Sequence, residues 1–103
     1  MDKKRKAYQE KKEAQLREWA AKVDALRARA DQVKAEAKIQ YYEQIEGVQT
    51  RLRTAQHRLR ELQQAGDEAW DTLKDGVEDA WTDLREHVET AVSRFKSSGG
   101  ESG

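Results

Sequence analysis

Apolar residues in the first two-thirds of the chain recur at alternating steps of three and four. Leu16, Trp19, Val23, Leu26, Ala30, Val33 and Ala37 form one block, and Val48, Leu52, Ala55, Leu59 and Leu62 form a second. Such spacing lays one apolar stripe along an α-helix, the a/d seam of a heptad repeat. Between the blocks, Ala37, Tyr41, Ile45 and Val48 are spaced 4-4-3, a stutter that relaxes the left-handed supercoil. The 103 residues contain no proline. Gly47 is a weak point, costing about 1 kcal/mol against Ala in a helix interior. The pattern predicts one long helix over residues 1–65.

The convincing interruption is Ala65-Gly66-Asp67. Gly66 can adopt the left-handed conformation that ends a helix, and Asp67 can cap the next one. Residues 66–67 are therefore expected to form a turn, followed by an acidic helix over 68–96. The Ser- and Gly-rich residues 97–103 have the composition of a disordered tail. The second helix repeats every 11 residues, Trp70-Leu73-Val77 being followed by Trp81-Leu84-Val88 and then by Val92-Phe95. A period of 3.67 residues per turn keeps such a stripe nearly straight.

Folding about Gly66 brings the two stripes together. Leu62 meets Trp70, Leu59 meets Leu73, Val48 faces Leu84 and Ala37 faces Phe95. The expected hairpin seam thus comprises Tyr41, Ile45, Val48, Leu52, Leu59, Leu62, Trp70, Leu73, Val77, Trp81, Leu84, Val88 and Phe95. Charge agrees: residues 1–64 hold 16 basic and 10 acidic side chains, residues 65–103 hold 4 and 10. Leu16, Trp19, Val23, Leu26 and Val33 lie beyond the reach of the second helix. An apolar stripe of that size is not normally left in water. The expectation is an all-α protein, a long-helix/short-helix antiparallel coiled-coil hairpin. Its free stripe would pair with a second copy, giving an elongated helical bundle, most simply a dimer.

Catalytic chemistry finds little support. The chain has no Cys, which removes disulfides, thiolate metal sites and Cys nucleophiles. Its two His residues, His57 and His87, lack the Glu-x-x-His pattern of helix-bundle metal centres, having Thr54 and Leu84 three residues before them. No Gly-rich phosphate loop precedes a helix, and the carboxylates stand beside Lys and Arg on polar faces. No enzyme activity, cofactor, metal site or catalytic residue is expected. The basic opening Lys3-Lys4-Arg5-Lys6 could touch phosphates, but only Tyr8 is near it for stacking, so a nucleic-acid partner is not expected. A lipid surface is the stronger rival, since the Trp70–Phe95 stripe is amphipathic. Residues 67–90 carry nine acidic and two basic side chains, which anionic lipid would repel.

The chain also resembles a family of small bacterial coiled-coil proteins described as stress-response proteins of unknown mechanism. The resemblance rests on Tyr8-Gln9-Glu10-Lys11, Gln15-Leu16-Arg17-Glu18-Trp19, Ala37-Lys38-Ile39-Gln40-Tyr41-Tyr42, Leu62 to Trp70, and Gly76 to Trp81. It covers nearly all of residues 7–96. It implies a soluble cytoplasmic helical protein linked to salt or other stress, and it brings no catalytic residues. The functional expectation is a non-enzymatic, self-associating coiled-coil protein in a stress-response or scaffolding role. The alternatives are a peripheral lipid-surface helix and a coiled-coil adaptor for another protein.

Overall fold

A computed structural model describes the backbone of residues 2–102 and the side chains of residues 3–95. It contains three helices, α1 (Asp2–Ala30), α2 (Ala35–Gln63) and α3 (Asp67–Ser102), and no strand among the described residues. They pack side by side into a rod of 52 × 19 × 16 Å.

The long helix expected over residues 1–65 is two helices. The chain reverses at residues 31–34, where Gln32 and Val33 donate short-range bonds to Arg29 and Ala30 before Lys34 turns extended (φ −63°, ψ 149°). No Gly or Pro marks this turn. The stripe of α1 supplies the physical reason. Burying Leu16, Trp19, Val23 and Leu26 is worth about 1.5–3 kcal/mol apiece. The few helical hydrogen bonds surrendered at the turn cost only about 1 kcal/mol each. Burial wins.

The five residues expected to face a second copy are accordingly placed within one chain. Leu16, Trp19, Val23 and Leu26 are all less than a tenth exposed, and Val33 packs half-buried against the same core. The unpaired stripe that called for a partner is covered by α2 and α3. The seam residues expected on the later helices line that core: Tyr41, Ile45, Val48, Leu52, Leu59 and Leu62 from α2, with Trp70, Val77, Trp81, Leu84, Val88 and Phe95 from α3. Leu73 is only half-buried. Phe95 stacks on Tyr41, with ring centroids 4.1 Å apart. That contact lies one helical turn from Ala37, the position that folding about Gly66 pairs with it, because a ring reaches where a methyl cannot.

The second turn also differs in detail. α2 ends at Gln64 in a right-handed conformation, and no glycine has positive φ among the described residues. Gly66 therefore does not terminate α2 through a left-handed cap. Its carbonyl accepts from Trp70 N–H at 3.1 Å, so Gly66 takes the capping position and Asp67 is the first residue of α3. At the other end, α3 extends past Lys96 to Ser102. The tail expected over 97–103 falls outside the described side chains.

α2 continues through Gly47, and α3 through Gly76. A Cβ at Gly47 would stand 3.7 Å from the Arg51 side chain, and one at Gly76 4.0 Å from Arg58. Both are ordinary contacts. Gly47→Ala and Gly76→Ala should each stabilise the bundle by about 0.5–1 kcal/mol. Urea unfolding followed by circular dichroism measures this, and a loss of stability in either would show that the glycine is structurally required.

Candidate interaction surface

α1 and α3 run in the same direction and approach less closely than α2 and α3. Long side chains bridge the gap. On α1 they fall at Arg5, Tyr8, Lys12, Gln15 and Trp19, and on α3 at Asp67, Trp70, Lys74, Glu78 and Trp81. Steps of three and four keep each set on one helical face.

The contact is a ladder of alternating rings and charges. Arg5 pairs with Asp67 at 2.6 Å and lays its guanidinium 5.0 Å from the centre of the Trp70 ring. Tyr8 meets Trp70 edge-on at 5.7 Å and donates its hydroxyl proton to Glu78. Lys74 stands 5.0 Å from the Tyr8 ring and 5.4 Å from Trp70. One turn on, Lys12 pairs with Glu78 at 2.9 Å and lies over both Tyr8 and Trp81. Trp81 donates its indole N–H to Gln15 Oε1 at 2.8 Å and tilts against Trp19 at 6.0 Å. Aromatic pairs of this geometry contribute about 0.5–1.5 kcal/mol beyond their buried area. Trp70 Nε1, by contrast, is buried without an acceptor.

Glu78 is the electrostatic centre of the ladder. Partial burial alone would raise its pKa, but hydrogen bonds from Tyr8 and Lys12 and the charges of Lys12 and Lys74 outweigh this and hold it below its ordinary value. Tyr8 is pushed up, first by burial and then by its bond to Glu78. Each shift has a definite sign for stability. A carboxylate lowered in the folded state stabilises above its unfolded value, about 4.3, and that contribution is lost as pH falls through the folded value. A tyrosine raised in the folded state stabilises below its unfolded value, about 10, and that contribution is lost as pH rises through the folded value. Glu78→Gln should therefore flatten the fall in Tm below about pH 4, leaving a shallower acid limb than wild type in thermal scans. An unchanged acid limb would remove Glu78 from this role.

Outside the ladder, Arg51 Nε stands 3.1 Å from Asp83 Oδ2, a charge contact without hydrogen-bond alignment that joins α2 to α3. His57 lies 3.7 Å from Glu61, and His87 lies 2.8 Å from the Asp83 carbonyl and 3.3 Å from its carboxylate. Neither histidine gains a further ligand, and no group of three His, Cys, Asp or Glu gathers among the described residues. No described helix is long and apolar enough to cross a membrane. Arg5, Tyr8, Lys12 and Gln15 of the ladder are not among the expected interface residues. Their signal is the continuation of the 3-4 spacing backwards from Trp19 through Gln15, Lys12, Tyr8 and Arg5, hidden because those side chains are polar.

The fold and this surface define a small all-α, three-helix protein with an apolar interior and a charged outer face. Neither family models, curated proteins nor solved structures give a match to the chain.

Proposed function

We propose that the protein is a non-enzymatic helical scaffold that works by self-association, in a stress-protection or structural role. The observation that carries this reading is the division of charge between helices. α1 holds ten basic and five acidic residues, a net of +5, whereas α3 holds four basic and ten acidic, a net of −6. Among the described residues, only Arg5–Asp67 and Lys12–Glu78 join these two helices as ion pairs. Most of the remaining charge faces outward, so one rod presents a basic side complementary to the acidic side of another. Complementary fields of this kind favour and orient encounter. In this reading α2 and α3 form an antiparallel coiled-coil hairpin, the platform on which α1 sits. The interior supports a structural role, since the buried residues described are all hydrophobic and none is charged.

Size exclusion with light scattering tests the reading. The mass should rise above the 11.9 kDa of one chain as concentration increases, and rise further at low ionic strength. A single-chain mass throughout would overturn it. Tryptophan fluorescence with neutral and anionic vesicles separates the lipid alternative, for which a blue shift on lipid addition is required.

A further inference from the structure

We infer that α1 exchanges between two copies of this chain by straightening the hinge at residues 31–34, so that α1 of each copy fills the α2–α3 groove of the other. This inference rests on the self-association reading and specifies its form. Three observations carry it.

The first is the hinge itself. It contains Asp31, Gln32, Val33 and Lys34, with neither Gly nor Pro and no residue at positive φ. Asp31 still donates to Arg27 at 3.1 Å, a helical bond, and Lys34, at ψ 149°, is the residue that turns the chain away. Returning that dihedral to the helical range, and exchanging the Gln32–Arg29 and Val33–Ala30 bonds for helical ones, joins α1 to α2.

The second is phase. Leu26, Ala30, Val33 and Ala37 continue the alternating spacing across the turn, and Tyr41 follows at the first step of the stutter. A straightened helix would carry the α1 and α2 stripes, from Leu16 to Leu62, on one face over about 70 Å, using 1.5 Å per residue. Every side chain that fills the groove in one chain is presented unchanged to a second copy. The closed and exchanged forms share the same core and the same ladder, and differ at the hinge.

The third is the start of α2. Lys34 occupies the capping position and makes no side-chain cap. The first helical bonds come from Ala37 and Lys38 to the Lys34 carbonyl, at 2.9 and 3.1 Å. The N–H groups of Ala35 and Glu36 are orphans of a helix N-terminus. Straightening gives them the carbonyls of Asp31 and Gln32. Exchange of an identical element is a low-cost route to a dimer, and here the hinge gains bonds by opening.

Proline at position 35 tests the hinge without touching the core. Ala35 is exposed and is the first residue of α2, where proline is well tolerated. The extended backbone of Lys34 suits a residue preceding proline. In the straightened helix the same proline is interior, clashes with the carbonyl of Asp31, and disfavours that form by about a hundredfold per copy. Ala35→Pro should therefore lower the dimerisation constant by about 10⁴-fold, with the helical signal retained.

A crosslink reports the exchange independently. Glu13 and Gln63 touch at 2.6 Å between α1 and α2, and the chain has no Cys. A short bismaleimide applied to the pair E13C/Q63C should join two chains in the dimer fraction, after warming and cooling at high concentration. A dimer whose linker stays within each chain overturns exchange while self-association stands. So does a dimer that Ala35→Pro leaves equally strong. A monomer at every concentration overturns both.

Discussion

Trp81→Ala will lower the stability of the bundle by about 3–5 kcal/mol, the largest loss expected from a single side chain. Trp81 is 5% exposed and sits where all three kinds of contact meet. Its ring packs against Trp19 and under the Lys12 ammonium, and its indole N–H is spent on Gln15. Removing it leaves a cavity and also an unpaired Gln15 amide oxygen at the α1–α3 seam. A domain of this length has about 5–15 kcal/mol in total, so much of its margin goes with one residue. Thermal unfolding should show Tm lowered by more than about 12 °C. The companion variant Trp19→Ala sharpens the result. Two rings in contact should give a coupling of about 0.5–3 kcal/mol in a double-mutant cycle. Strict additivity would mean that α1 is not docked at that point.

Leu84→Ala and Leu73→Ala separate two positions that the 11-residue repeat makes equivalent. Leu84 is fully buried, whereas Leu73 is only half-buried at the edge of the core. The first substitution should cost about 2–5 kcal/mol, and the second less than half as much. Denaturant midpoints measured at equal slope decide it. Equal losses would place Leu73 in the interior, as a simple two-helix seam requires. The inequality follows from position along and across the α3 stripe. Leu73 lies near the open end of the rod, toward the edge of the α3 stripe, and stays partly wet, whereas Leu84 sits at mid-length beneath both neighbouring helices.

The same geometry separates what was legible in the sequence from what was not. Helix content, the break near Gly66 and nearly every core residue after Tyr41 follow from spacing alone, because a 3-4 repeat states which face must leave water. The acidic character of α3 and the basic character of α1 are likewise legible, and they explain why a neutral chain carries so much charge. The reversal at residues 31–34 has no local signal. Asp31, Gln32, Val33 and Lys34 are all compatible with a helix interior, and the seam crosses them in phase. The ladder of Arg5, Tyr8, Lys12 and Gln15 was hidden for a related reason: it packs through rings and long charged stems that hydropathy counts as solvent-facing.

Sequence alone determined that the stripe of Leu16, Trp19, Val23 and Leu26 must be covered, since apolar area in water costs the same whichever partner removes it. Only the tertiary structure decided whose surface covers it. Within one chain the cover is the groove between α2 and α3, reached by breaking a helix that local propensity would have continued. A turn costs a few hydrogen bonds, and the burial it permits is worth several times more. That balance is a property of the assembled helices and of no single segment.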